Sequence, residues 1–149
     1  MEITKLHLKN FRCFGDVEFT FDRVNHIFGD NGAGKSSIAE GIVLALYGTT
    51  IYGSNYSLEA LIKDNGGNAE AAVTIIAGGS ERVIRRTLNI VKKPGKPEKT
   101  ETEVFLDGVK VSQKMIQEKL LGRLNVKQFL IGFAPMYYDT LRTSDLEEV

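Results

Sequence analysis

Alternating apolar and polar residues open the chain and predict two β-strands. Glu2–Lys9 places Leu6 and Leu8 on one face, and residues 17–21 alternate apolar with polar side chains. Residues 10–16 between them are predicted to form a turn that holds two aromatic side chains. Because this connection is too short for a crossover helix, we expect the two strands to pair antiparallel.

A short apolar run and a helical repeat come next. Val24–Phe28 has the composition of a buried strand, and Gly48 follows a stretch with apolar residues at helical spacing. That stretch predicts a helix over Ser36–Tyr47, with its spacing set by Ile38, Ile42, Val43 and Leu46. The pattern is therefore strand, glycine-rich loop, helix.

The middle of the chain predicts short strands closed by turns. Glycines at 78 and 79 indicate a hairpin, and Asp107-Gly108 indicates a second tight turn. The predicted elements are a short helical turn at Leu58–Ile62, strands at Ala71–Ala77, Arg82–Val91, Thr102–Leu106 and Val109–Val111, an exposed loop at Lys92–Lys99, and a helix at Ser112–Gly122 with Met115, Ile116 and Leu120 inward.

The last 25 residues carry signals of further structure. Val126–Tyr138 is apolar and aromatic and is interrupted at Pro135. Ser144-Asp145-Leu146-Glu147 is a capping box, which announces a helix, but the sequence stops at Val149. A start signal without its helix indicates that these 149 residues are a fragment.

The glycine-rich loop matches the phosphate-binding P-loop, G-x-x-x-x-G-K-[S/T], without a mismatch. Glycines at 29, 32 and 34 allow consecutive backbone N–H groups to turn inward and form an anion-binding nest. Lys35 can then reach the β- and γ-phosphates, and the hydroxyl of Ser36 can ligate Mg²⁺. The helix that follows adds the partial positive charge of its N-terminus. The sequence thus predicts a nucleotide-binding site with Mg²⁺ as a cofactor.

Composition sets bounds on the class of protein. The 149 residues suit one domain, and 19 basic against 19 acidic residues cancel, so net charge gives no sign of nucleic acid or membrane binding. One cysteine excludes an internal disulfide, and no Cys/His set has metal-site spacing. No apolar stretch approaches a membrane span, and no signal-peptide pattern is visible at the N-terminus. A cytoplasmic protein without a membrane partner is the expectation.

Two motifs in order carry a family resemblance. Asn10-Phe11-Arg12-Cys13-Phe14, a strand ending in phenylalanine, and then Gly29-Asp30-Asn31-Gly32-Ala33-Gly34-Lys35-Ser36-Ser37 resemble the N-terminal half of SMC/RecF-type ATPase heads. Within this family, the sequence most resembles the double-strand-break-repair ATPase that partners the Mre-type nuclease. The resemblance implies an α/β P-loop fold of the ABC-ATPase type, with a mixed sheet and an N-terminal antiparallel β element.

The resemblance also implies a function and its partners. Such heads form a homodimer around ATP, with the second head and the C-terminal half of each head completing the sites, and hydrolysis drives conformational change on DNA. The residues that match family positions for ATP binding are Arg12, Cys13, Gly29, Asp30, Asn31, Gly32, Ala33, Gly34, Lys35, Ser36 (also on Mg²⁺), Ser37 and, as a softer match near the base and ribose, Ile62, Lys63 and Asp64.

Some family features are absent from these 149 residues. Phe129–Tyr137 lacks the Q-loop glutamine, since Gln128 lies several residues too early, and this leaves Mg²⁺ coordination and the subfamily open. The signature motif, the Walker B aspartate, the catalytic glutamate and the switch histidine are also missing. Phosphoryl transfer needs a carboxylate on the metal and a group to orient water. We therefore expect no catalytic residue here, weak nucleotide binding and hydrolysis near background.

The hairpin that follows the helical turn is rich in basic residues. Residues 81–100 hold seven basic and two acidic side chains, a net charge of +5. Lys92, Lys93 and Lys96 could contact DNA phosphates, although a solvated hairpin explains the same charge.

Two other functions fit parts of the sequence. A nucleotide-sensing interaction module would explain the missing Walker B motif if 149 residues were the natural protein. An ABC ATPase subunit of a transporter would share the P-loop, but N-F-R-x-F and the absence of an aromatic A-loop before the P-loop speak against it.

Overall fold

Six strands form one antiparallel sheet that organises the fold. The structure is a computed structural model that describes residues 2–21, 35–50, 57–63 and 67–123. The strands lie in the spatial order β2-β1-β3-β4-β5-β6, and every neighbouring pair among them is antiparallel. They span β1 (Glu2–Phe11), β2 (Phe14–Thr20), β3 (Ala69–Ala77), β4 (Ser80–Val91), β5 (Lys99–Leu106) and β6 (Val109–Val111).

The predicted strands within the described ranges are confirmed, and most are longer than predicted. β1 extends to Phe11 and β2 begins at Phe14, so the turn between them shrinks to two residues. Hairpins close at Gly78–Gly79 and at Asp107–Gly108, as the turn residues indicated. The predicted P-loop strand Val24–Phe28 and the segment Val126–Tyr138 lie outside the described residues, so the part of the sheet they would form is not described either.

The hydrophobic core packs against one face of the sheet. Leu6 and Leu8 of β1 are fully buried, as their alternation predicted. The register places Leu8 opposite Ala71, so the buried positions continue in line across the central strands. The buried residues contributed by the other strands are Ala69, Ala71, Val73, Ile75, Ile84, Leu88, Val104 and Leu106.

The opposite face of the sheet is polar and lined with ion pairs. Arg85 donates from Nη1 to Oε1 of Glu70 at 2.8 Å, and its guanidinium lies 4.2 Å from the centroid of the Phe105 ring. Lys5 and Glu18 approach to 4.0 Å on the neighbouring strands. Because these pairs are exposed, each contributes little to stability, and they mainly keep this face in water.

Helix α1 (Lys35–Tyr47) lies across β1, β3 and β4 on the core side of the sheet. All residues over 42–46 are fully buried, which includes Leu44 and Ala45 outside the predicted apolar stripe. A helix that is buried on every side has no solvent-facing surface for charged groups. Its single acid, Glu40, is also buried, with 1% of its surface exposed.

The C-terminal end of α1 is closed by the glycine that follows it and by two side chains from distant parts of the chain. Gly48 has a left-handed backbone (φ 73°), and its N–H donates to Leu44 O at 2.8 Å. Arg86 of β4, only 3% exposed, donates from Nη2 and Nε to Ala45 O at 3.2 and 3.4 Å. Burial lowers the pKa of Arg86 to about 10, so it remains cationic at neutral pH beside the negative end of the helix.

Gln113 also contacts the C-terminal end of α1. It donates from Nε2 to Leu46 O at 2.9 Å and accepts from Nη2 of Arg86 through Oε1. Arg86 was counted with the solvated hairpin charges from the sequence, and that interpretation is wrong. Its guanidinium is inside the fold, where it donates to Ala45 O, a carbonyl in the last turn of the helix.

The last described helix departs from its prediction. It divides into α2 (Gln113–Ile116), capped by the hydroxyl of Ser112, and a π-helical turn over Gln117–Leu121. Met115, predicted inward, is 36% exposed, whereas Ile116 and Leu121 are buried. A spacing of five residues suits the wider π turn, so the inward positions shift. No helix in the described ranges is long and apolar enough to cross a membrane.

We predict that Gly48→Ala destabilises the fold more than Gly95→Ala does. Both glycines have a left-handed backbone, with φ of 73° and 75°, so both variants bear the same penalty of about 1 kcal/mol. At Gly48 a new Cβ would also lie 2.9 Å from Nη1 of the buried Arg86, whereas the surroundings of Gly95 are open. We expect an extra loss of about 1–3 kcal/mol for Gly48→Ala in urea unfolding. Equal losses in the two variants would contradict a tight Arg86 closure.

Candidate functional site

The turn between β1 and β2 has an unusual backbone. Asn10 and Arg12 both adopt left-handed conformations, with φ of 49° and 53°. For residues with a Cβ this costs about 1 kcal/mol each, so neighbouring contacts must hold the turn in place. One such contact is a hydrogen bond of 3.0 Å from Nδ2 of Asn10 to Asn68 O.

A short 3₁₀ turn (Leu58–Leu61) docks onto this strained backbone. The N–H of Arg12 donates to Leu61 O at 2.8 Å, and the N–H of Lys63 donates to Asn10 O at 2.9 Å. Phe11 and Ile62 form an isolated antiparallel bridge between these bonds. Residues 61–63 are therefore fixed against the end of β1 by backbone hydrogen bonds.

The side chain of Arg12 links the same turn to α1. Its Nε donates to Oε2 of Glu40 at 2.8 Å, and its Nη2 donates to Oε1 at 2.7 Å. This is a two-pronged contact between guanidinium and carboxylate, the strongest geometry for such a pair. Arg12 Nη1 also approaches Ala60 O at 3.5 Å. The side chain of Glu40 is 2% exposed and that of Arg12 is 25% exposed.

Gly41 allows α1 to approach β1 closely enough for this contact. A Cβ built on Gly41 would lie 2.6 Å from Cδ2 of Leu8. Any larger residue would push the leucine or the helix aside. The absence of a side chain at 41 therefore helps to bring the neighbouring Glu40 within reach of Arg12.

The structure brings part of the predicted ATP site together. Arg12, residues 61–63 and the N-terminal half of α1 meet at one end of β1. Ser37 and Ile62 are 9% and 7% exposed, and Cys13 and Lys63 are exposed. Lys35 and Ser36 begin α1, whereas Gly29, Asp30, Asn31, Gly32, Ala33, Gly34 and Asp64 lie outside the described residues.

The basic hairpin is less charged at its surface than its composition suggested. Arg82 pairs with Asp107, Arg85 pairs with Glu70, and Arg86 is buried. The exposed basic side chains that remain at the β4–β5 loop are Lys92, Lys93, Lys96 and Lys99, against the acidic Glu98. The three arginines therefore build the fold, and the four lysines carry the surface charge.

Asp107 shows how tightly one of these arginines is held. It accepts from Nε of Arg82 at 2.6 Å and from the N–H of Val83 at 2.9 Å. These bonds to the charged form, first that from the Val83 N–H, lower the pKa of the Asp107 carboxyl. The contact anchors the β5–β6 turn to β4.

Few described groups could hold a metal ion. The part of the chain that the structure covers has no cluster of three or more His, Cys, Asp or Glu side chains with that geometry. Glu40 is the carboxylate placed on α1, and both of its oxygens accept from Arg12. A hydroxyl together with phosphate oxygens is a donor set that suits Mg²⁺, and Ser36 carries that hydroxyl in the sequence.

Comparison with known families matches residues 5–138 to the family described as AAA domain. The chain belongs to this family. The sequence is also 34% identical over 116 residues to the DNA double-strand break repair Rad50 ATPase of Thermoplasma acidophilum, a match that covers 77% of this chain and 12% of that protein. The chain thus corresponds to a small part of that relative's length.

Solved structures show the same fold. The SMC head domain from Thermotoga maritima superposes with a TM-score of 0.56 at 30% identity and covers 80% of this chain and 42% of that one. The recombination mediator protein RecF, in a structure titled as its ATP form, superposes with a TM-score of 0.61 at 24% identity and covers 78% and 29%. The predicted resemblance to the N-terminal part of an SMC/RecF-type, P-loop ABC-class head is confirmed.

Sequence reasoning missed Glu40. A lone acid inside an otherwise apolar helix is a signal that could have identified it, because a buried carboxylate requires a cationic or hydrogen-bonding partner. Arg12 was placed beside the phosphates by the family match, but its bond to Glu40 had no signature in the sequence, since 28 positions separate the two residues.

We predict that Arg12→Ala destabilises the fold by about 3 kcal/mol, because it leaves the Glu40 carboxylate buried without its partner. Arg82→Ala is the matched control. It removes an arginine–carboxylate contact of similar length between side chains that are 33% and 43% exposed, and exposed pairs contribute below about 1 kcal/mol. Urea unfolding of both variants measures the difference. Similar losses of unfolding free energy in the two variants would show that the burial of Glu40 does not set the cost of removing Arg12.

Proposed function

We propose that this chain is the ATP-binding N-terminal lobe of a DNA repair or recombination ATPase. The observation that supports this most is the meeting of three separate segments at one end of β1. The P-loop helix, the Arg12 turn and residues 61–63 are far apart in sequence, yet Arg12 contacts both of the others. Such convergence of a phosphate-binding helix with a cationic side chain is what a nucleotide site requires.

In this proposal the P-loop supplies the phosphate cradle. Lys35 lies on the β- and γ-phosphates, Ser36 ligates Mg²⁺, and Arg12 adds a second cation near the same helix end. Cys13 and Ser37 lie beside the phosphates, and Ile62, Lys63 and Asp64 approach the base and ribose. The Ile62 side chain packs in the core, whereas the Lys63 side chain is exposed.

The remaining parts of the ATPase cycle are assigned to other segments. We propose that a C-terminal half supplies the Walker B and catalytic carboxylates, and that two heads enclose ATP as a homodimer. Hydrolysis would then drive a conformational change on DNA, in the cytoplasm and with a Mre-type nuclease as a partner. The 149 residues on their own would hydrolyse ATP near background, because they contain no Walker B motif.

DNA contact is proposed for the β4–β5 loop. Lys92, Lys93 and Lys96 are exposed there and line a surface concavity of about 400 Å³. Ala69 pairs with Leu88, so the C-terminal end of β4 lies at the same end of the sheet as the Arg12 turn. The lysines therefore extend beyond the end of the sheet that carries the proposed nucleotide site.

We predict that Lys35→Ala weakens binding of Mg-ATP by about 10- to 100-fold, the range expected for a lost charge-assisted bond to phosphate. Lys110→Ala, an exposed lysine on β6, should bind as the unaltered chain does. Isothermal titration calorimetry of the three proteins provides the measurement. Equal affinity in the unaltered chain and in Lys35→Ala would refute the P-loop assignment.

We predict that replacing Lys92, Lys93 and Lys96 together by serine weakens DNA binding and its salt dependence. Each lost phosphate contact should lower the slope of log K against log salt by about 0.9. The matched control replaces three exposed lysines outside this loop: Lys110 on β6, Lys114 on α2 and Lys119 in the π-helical turn. Fluorescence anisotropy with duplex DNA at several salt concentrations measures the slope. A similar loss of DNA affinity in both triple variants would show that binding depends on overall charge and not on the β4–β5 loop.

A further inference from the structure

Glu40 carries a carboxylate at a buried position of α1, where an unpaired charge is unfavourable. It lies within a helix in which the nearby Ala39 and Ile42 are 4% and 0% exposed. An ionised carboxylate in such surroundings is strongly destabilising unless it is paired. The folded chain resolves this by placing one cation, Arg12, on both carboxylate oxygens.

The geometry of the contact fixes the orientation of the cation as well as its position. Nε and Nη2 of Arg12 donate along one edge of the guanidinium, to Oε2 and Oε1 of Glu40. Nη1 of the same group approaches Ala60 O at 3.5 Å, so a second contact acts on the guanidinium besides the one with Glu40. Because the group is planar, holding one edge sets the direction of the others.

The position of Glu40 places this cation near the phosphate end of α1. Glu40 follows Lys35 by five residues, about 7.5 Å along the helix axis. It is one turn after Ser36 and Ser37, at the helix end where the P-loop sequence predicts phosphate. The strained turn at Arg12 adds to this fixation, since its N–H is bonded to Leu61 O.

An unpaired Glu40 would also oppose a nucleotide directly. Its negative charge would act on the phosphates through the interior of the protein, where screening is weaker than in water. Arg12 cancels that charge with a two-pronged contact to both carboxylate oxygens. The pair therefore has a consequence for ligand affinity that goes beyond the stability of the fold.

We propose that Glu40 is a positioning residue for nucleotide binding: it holds the guanidinium of Arg12 in the orientation in which Arg12 strengthens binding of nucleotide phosphates. This inference rests on the proposed nucleotide-binding function. Besides following the P-loop, α1 then has a second role: it aligns a cation that the β1–β2 turn supplies.

A double-mutant cycle on Mg-ATP affinity tests the proposal. Glu40→Gln keeps the shape of the side chain and removes the charge, and it should weaken binding by about 10-fold, which is 1.4 kcal/mol. Arg12→Ala should weaken binding at least as much, and the double variant should bind no more weakly than Arg12→Ala alone. Such non-additivity indicates that Glu40 acts through Arg12.

Arg12→Lys separates orientation from charge. Lysine keeps the positive charge but cannot form the two-pronged contact, so it should bind ATP about as weakly as Glu40→Gln does. Affinity restored to that of the unaltered chain would overturn the proposal, because charge neutralisation alone would then suffice. Urea unfolding of every variant confirms that affinity is compared among folded proteins.

The outcomes distinguish this proposal from the function on which it rests. If the unaltered chain binds Mg-ATP, Lys35→Ala does not, and Glu40→Gln binds normally, Glu40 is purely structural and the nucleotide site stands. Additive losses in Glu40→Gln and Arg12→Ala would likewise overturn the positioning role. If the unaltered chain binds no Mg-ATP, both the proposed function and the role of Glu40 fail.

Discussion

The enclosure of α1 is the constraint on which the described structure depends. A helix buried on every side has no water to satisfy its ends or its charged groups, so the protein must provide a partner for each. At its C-terminal end the partners are Arg86, Gln113 and the N–H of Gly48. In its N-terminal half the partner of Glu40 is Arg12. The helix begins at Lys35, within the sequence motif that predicts phosphate binding.

Two arginines that look alike in sequence therefore have opposite surroundings. Arg86 is buried against neutral carbonyl and amide oxygens at the negative end of the helix, and burial lowers its pKa. Arg12 is partly exposed and bonded to a carboxylate. Arg86 helps to hold α1 on β4, whereas Arg12 connects α1 to the β1–β2 turn and to residues 61–63. Together they fix the helix at both ends relative to the sheet.

This arrangement gives the proposed site a rigid base. The Arg12 turn is strained, and its strain persists because backbone bonds to residues 61–63 and the bond to Glu40 hold it. A cation held in this way loses little conformational freedom when a ligand binds, which favours affinity. The same sheet carries the lysine-rich β4–β5 loop beyond this end, so one rigid element links the two proposed binding regions.

Local patterns determined much of this protein from its sequence alone. Alternation placed Leu6 and Leu8 inward, and the glycine pair and Asp107-Gly108 located the hairpins, because each pattern depends on residues only a few positions apart. The P-loop spacing predicts a phosphate site in the same local way. The prediction was wrong for Met115, where a π turn changed the spacing of the inward residues.

Only the tertiary structure decided which charged residues are buried and what they contact. Arg12 and Glu40 are 28 positions apart, Arg86 and Ala45 are 41 apart, and Gln113 and Leu46 are 67 apart. Their contacts depend on how α1 lies across the sheet, which no local period encodes. The burial of a whole helix then requires charged and polar partners that a sequence pattern shows only as isolated residues.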